Sequence, residues 1–205
     1  IYTLSLHDAL PICVSLYCRM LRPKTPLILT VEASRPFLEI FWGCVLGGIL
    51  PAPLAPMRTP SAGSMEAQKI FHVWEILGAP IVADSSNERA FAVLTEMFKG
   101  TGATLIASEA LLTEARIVDF LEEDRYTPRH EDHVVLQFSS GSTGMPKGAR
   151  LTHRNLIANV QAQGLVECAT SSDRMVTWLP YFHDFGLFGC HMLTQIGRAS
   201  CRERV

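Results

Sequence analysis

The stretch Gln137-Phe-Ser-Ser-Gly-Ser-Thr-Gly-Met-Pro-Lys-Gly148 follows the apolar run His133-Val-Val-Leu136 and precedes the helix-like Leu151-Thr-His-Arg-Asn-Leu-Ile-Ala-Asn-Val160. A buried-strand pattern, a loop of small residues and a helix pattern therefore succeed one another, which predicts a phosphate cradle between strand and helix. Gly141, Gly144 and Gly148 allow positive backbone dihedrals and close approach of the main chain to a ligand. Ser139, Ser140, Ser142 and Thr143 add hydroxyl donors, so amides and hydroxyls can converge on one anion. Pro146 stiffens the exit and projects Lys147, a compact positive charge for phosphate oxygens. The spacing is not that of a G-x-x-x-x-G-K-[ST] loop, because Lys147 follows Pro146 and precedes Gly148.

Upstream, the chain alternates between two periods. Leu27 to Val31 is a short β-branched, apolar run; Ser34 and Pro36 then open a helix carrying Phe37, Ile40, Phe41 and Cys44 at helical spacing. Ile49 to Leu54 reads as a strand whose two prolines, Pro51 and Pro53, place it at an edge or an end. Ser64 caps a helix with Ile70, Val73, Trp74 and Leu77 on one face, ending at Gly78. Ile81 to Ala83, Asn87 to Lys99, Ala103 to Ala107 and Leu111 to Glu123 repeat the strand and helix alternation, with the charges Glu122 to Arg125 as a solvated end. Met175 to Leu179 reads as a further strand and Gly186 to Thr194 as a helix start. The expected class is α/β, a mostly parallel sheet covered by helices.

Composition narrows the functions. The formal net charge of −2 and an apolar share of 48% describe a globular chain with no basic surface for nucleic acid. The longest apolar stretch, Ile40 to Leu50, contains three glycines and is too short to span a bilayer, so no transmembrane segment is expected. Six cysteines without a C-x-x-C pair suit reduced thiols and a cytoplasmic setting. Neither His130 with His133 nor His183 with His191 is completed to a metal set, so no metal ligands are assigned.

Ser140 to Gly148, followed by Leu151-Thr-His-Arg-Asn-Leu156, resembles the adenylate-forming superfamily of acyl-CoA synthetases, fatty acyl-AMP ligases and peptide-synthetase adenylation domains. A second block, Thr177-Trp-Leu-Pro-Tyr-Phe-His-Asp-Phe-Gly-Leu187, resembles the one that follows in that family, in a form closest to the fatty acyl-AMP ligases. Phe41 to Pro53 looks like the family's early helix-to-strand passage. The resemblance implies part of the large N-terminal domain, with ATP and Mg²⁺ activating a carboxylic acid, fatty acyl in kind. Coenzyme A or the phosphopantetheine thiol of an acyl carrier protein would then accept the acyl group. It implies that Ser140, Thr143, Gly144 and Lys147 cradle the β and γ phosphates. His183 has two readings: it orients the carboxylate or gates the thiol tunnel, or it is a structural histidine bonded through Asp184. Asp184 reads as a helix cap or that partner, and His153 as a helix N-terminal residue.

The family's later blocks, which hold adenine, ribose and a distal lysine, do not fit after Thr194. Tyr2 to Ile12 and Ile196 to Val205 resemble translated sequencing-adapter read-through. The expected division is an adapter-like 1–12, a partial AMP-binding domain at 13–195 and an adapter-like 196–205. The rival expectation to a ligase fragment is a non-catalytic truncated product that binds phosphate or nucleotide weakly.

Overall fold

The computed structural model describes residues 9, 12, 16, 21–78, 80–84, 87–115, 126–139, 146–170, 173 and 175–195. Four parallel strands form the first sheet: β1 (Pro26–Thr30), β2 (Leu50–Pro53), β3 (Ile81–Asp84) and β4 (Leu105–Ala107), in the order β2-β1-β3-β4. They alternate with α1 (Ser34–Leu46), α2 (Met65–Ile76), α3 (Glu88–Met97) and α4 (Ser108–Ala115). The remainder of the expected Leu111 to Glu123 helix, with its charged tail, lies outside the described residues. The α/β class with a mostly parallel sheet is thus what the chain adopts, because each parallel neighbour needs a crossover long enough to hold a helix.

The pleat sorts the core onto two faces. Leu27, Leu29 and Val31 pack with α1 residues Phe37, Ile40 and Phe41, whereas Ile28 packs with Ala67, Ile70 and Val73 of α2 and Ala90 and Leu94 of α3. Full burial of a side chain such as Phe37 or Phe41 is worth roughly 1.5–3 kcal/mol. Ser64 and Asn87 cap α2 and α3, accepting from the amides of Ala67 and Ala90. Ser34, by contrast, opens α1 without a capping bond, and Ala33 stands at the cap position.

The prolines of β2 are accommodated by the alternation of strand amides. Leu50 N–H and Leu54 N–H both donate toward β1, to Thr25 O and Leu29 O at 2.9 and 3.0 Å. Pro51 and Pro53, one residue out of phase, therefore put their missing donors on the opposite edge. That edge faces β5 (His133–Ser139), which runs beside β2 with no hydrogen-bonded ladder.

Three expectations require correction. First, no helix follows the glycine loop directly: β6 (Lys147–Thr152) returns antiparallel to β5, and α5 (His153–Val166) begins only after it. In the sequence the loop ends at Gly148 and the helix pattern begins at Leu151, yet Phe138, Gln137 and Leu136 offer Gly148, Ala149 and Arg150 a ladder, and that pairing prevails. Secondly, Met175 to Leu179 forms no strand, and Val176 and Trp178 are 88% and 90% exposed. β-propensity alone does not make a strand where no described neighbour supplies hydrogen-bond partners. Thirdly, Gly148 does not use the positive dihedral that glycine allows.

A bulge between His133 and Val135 places two successive residues, Val134 and Val135, in the same core face, while Leu136 and Phe138 enter the other. Beyond α5, residues Phe185–Met192 wind as a π-helix packed against α5. Ala9, Ile12 and Leu16 are helical, buried positions at spacing for one face, and a Cβ on Gly43 would lie 2.8 Å from Ile12 Cγ2. Ala9 and Ile12 fall inside the stretch expected to be adapter-like.

Candidate functional site

The β5–β6 hairpin builds the site by register. Ser139 pairs with Lys147 and Phe138 with Gly148, so the two strands deliver both ends of the Ser140 to Met145 loop to one place. Ser140, Gly141, Ser142, Thr143 and Gly144 themselves lie outside the described residues. Ser139 Oγ donates to the Lys147 carbonyl at 3.5 Å. The Lys147 side chain is exposed, and among the described residues its ammonium has no hydrogen-bond or ion-pair partner. A hydroxyl and an unpaired cation at the mouth of a Ser/Gly loop form a donor set suited to phosphate oxygens.

Gly148 has a packing reason. A Cβ there would stand 2.8 Å from Phe138 Cε1, so the cross-strand ring covers the place a side chain would take. The close approach that Gly148 makes within the chain is to the Phe138 ring.

The intervening strand also changes the electrostatics. At roughly 3.3 Å per residue, β6 separates the loop from the α5 N-terminus by about 20 Å, well beyond the first turn in which a helix dipole acts. An anion held between Ser139 and Lys147 would thus lie outside the reach of that helix dipole. The α5 N-terminus is satisfied internally: Thr152 Oγ1 accepts from Asn155 N–H at 3.2 Å, and Asn155 Oδ1 accepts from Thr152 N–H at 3.0 Å. His153, the first residue of α5, donates its amide to Asp132 O at 3.1 Å. Burial lowers the His153 pKa, with Asp132 opposing and His130 reinforcing that shift.

His183 lies in the turn before the π-helix and is 65% exposed. Its Nδ1 is 2.7 Å from Asp184 Oδ1, and the same oxygen accepts from Phe185 N–H at 2.7 Å. Asp184 thus acts both as helix cap and as partner of His183. Among the described residues no three His, Cys, Asp or Glu side chains gather into a metal site. Cys44 and Cys190 are buried and Cys168 is exposed, none of the three in a disulfide.

Sequence reasoning did not single out a buried pair behind this turn. Trp42 Nε1–H donates to His191 Nε2 at 2.9 Å, and the Tyr181 ring meets His191 edge-on at 5.4 Å. Burial drives the His191 pKa down to about 4, so the ring is neutral at ordinary pH. The only sequence signal was a histidine in the apolar stretch Phe188 to Leu193, which does not reveal its partner 149 positions away.

The chain resembles known proteins in sequence and in overall fold. The AMP-binding enzyme family matches residues 13–201. The long-chain-fatty-acid–AMP ligase FadD32 of Mycolicibacterium smegmatis is 28% identical over 185 residues, 86% of this chain and 27% of that protein. The medium-chain-fatty-acid–[acyl-carrier-protein] ligase JamA of Moorena producens is 27% identical over 192 residues, 88% of this chain and 30% of that one. Among solved structures, McyG A-PCP complexed with phenylalanyl-adenylate superposes with a TM-score of 0.87 and 25% identity, covering 96% of this chain and 36% of that chain. The chain thus spans less than two fifths of these proteins' lengths. With the family matching nearly every residue, and the same fold recurring in an adenylate-bound structure, the chain belongs to the AMP-binding enzyme family.

Proposed function

We propose that this chain is the phosphate-loop portion of an ATP-dependent ligase that activates a carboxylic acid, fatty acyl in kind. The acid's carboxylate attacks the α-phosphorus of ATP, the bond to the bridging oxygen breaks, and pyrophosphate leaves with an acyl-adenylate remaining. A thiol, of coenzyme A or of a carrier protein's phosphopantetheine, then takes the acyl group and releases AMP. The observation that carries this reading is the hairpin register, which sets Ser139 and the exposed Lys147 at the two ends of one Ser/Gly loop. Attack by an anion on a triphosphate is chiefly a problem of charge, and such a loop supplies amides, hydroxyls and an ammonium where charge develops. Mg²⁺, when bound with the nucleotide, would add to the charge neutralisation that Lys147 supplies. His183, exposed and oriented by Asp184, is the candidate for the acid side of the site. The six cysteines, without a C-x-x-C pair, suit a cytoplasmic setting.

The test is Lys147→Ala in an intact polypeptide carrying this segment, assayed by pyrophosphate exchange over a panel of fatty acids. Loss of a contact that tightens in the transition state should cost on the order of 2–4 kcal/mol, mostly in adenylation. Undiminished exchange would remove Lys147 from the phosphate site.

A further inference from the structure

Between α1 and the π-helix lies an aromatic cluster that phosphate chemistry does not use. Trp42 Nε1–H can only donate, so its 2.9 Å bond makes His191 Nε2 the lone-pair nitrogen and places the imidazole proton on Nδ1. His191 is 6% exposed, and its ring lies 6.0 Å from Trp42 and 5.4 Å from Tyr181. Tyr181 also stacks on Phe37 of α1 at 6.2 Å. The cluster therefore grips the segment at both ends, at Tyr181 before the turn and at His191 one residue short of the π-helix end.

What lies between those grips is the turn bearing His183. Its backbone is closed by His183 N–H to Pro180 O at 3.1 Å and Leu187 N–H to His183 O at 3.0 Å. Gly186 is pressed so close to the Pro180 carbonyl that a Cβ would strike it. The His183 ring, among the described residues, is held only by Asp184, its neighbour in the same turn. Leu187 is buried in the core cluster that holds Phe37, Ile40 and Phe41, and Phe182 packs against it, but these apolar contacts have no fixed direction; the side-chain hydrogen bond that ties the segment to α1 is the one from Trp42 to His191.

From this geometry we infer that Trp42 and His191 are a positioning pair, whose hydrogen bond fixes the turn that presents His183 to the acid. The inference deepens the carboxylate-activating reading and rests on it for the identity of what His183 meets. Neither residue touches substrate; both act through the backbone of Pro180 to Leu187.

Amide hydrogen exchange on an intact polypeptide carrying this segment tests it, without any need for turnover. Trp42→Phe keeps an aromatic ring and removes only the donor; it should speed exchange at the His183, Phe185 and Leu187 amides about tenfold, with β1 amides unchanged. His191→Leu should do the same. His191→Gln, which can return an amide oxygen to Trp42, should restore protection. In pyrophosphate exchange with dodecanoic acid as probe, Trp42→Phe should raise KM for the acid several-fold and leave KM for ATP alone. Unchanged exchange at the three amides, or acceleration spread evenly through α1 and β1, overturns the proposal. If the wild type activates no acid, the carboxylate reading fails while the exchange result still decides whether the pair holds the turn.

Discussion

Gly148 illustrates how a single atom sets the geometry of the loop's exit. Its hydrogen faces the Phe138 ring where a Cβ would come within 2.8 Å of Cε1, and the partners are fixed by ladder bonds on either side. Gly148→Ala should therefore destabilise the hairpin by roughly 1–3 kcal/mol, as overpacking does. Shortening the ring in Gly148→Ala/Phe138→Leu should recover part of the loss; melting curves for the single and double variants check this, and equal losses in both would remove Phe138 as the cause. His191 makes a second prediction at this scale. Its pKa is about 4 in the folded chain against an ordinary 6.5, so between those values the unfolded chain binds more protons than the folded one. Stability contributed by the neutral ring is present above about pH 6.5 and falls as pH drops toward 4, by up to about 3 kcal/mol. His191→Gln, which does not titrate, should flatten that part of a stability-against-pH curve.

At the scale of elements, α5 stands apart from the loop and carries its own start signal. The reciprocal bonds of Thr152 and Asn155 satisfy its first amides, and Arg154 pairs with Glu131 at 2.6 Å on the turn before β5. Thr152→Ala should cost about 1 kcal/mol of stability through the lost cap. Because about 20 Å of strand separates α5 from the loop, nucleotide affinity should be unchanged. Calorimetric titration of ATP against the wild type and the variant measures this; a marked drop in affinity would show that the helix reaches the phosphates after all.

For the whole molecule, exposed apolar surface and the share of its relatives that it spans point the same way. Leu165, Val166, Val176 and Trp178 are 80%, 83%, 88% and 90% exposed. Such surface on a chain covering 27% of the FadD32 ligase's length is expected to bind hydrophobic dyes and to self-associate when the 205 residues are expressed by themselves. A monomeric preparation that binds no such dye would contradict this expectation.

The order of elements up to Ala115 is legible in the chain alone, because period and punctuation are local: Ser64 and Asn87 cap where they stand, and Leu27 to Val31 can be nothing but a buried strand between Pro26 and the Ser34 helix start. The loop motif is legible for the same reason, since its glycines, hydroxyls and lysine are contiguous. Only the tertiary structure decided that Lys147 to Thr152 is a strand, for its ladder partners lie on β5. It also decided that Met175 to Leu179 is not one, for no described neighbour pairs with it. The tolerance of β2 for Pro51 and Pro53 depends on which edge meets β1. The bond between Trp42 and His191 joins positions 149 apart, and no local pattern encodes it. Propensity and capping act over a few residues, whereas pairing and burial depend on what the rest of the chain brings alongside.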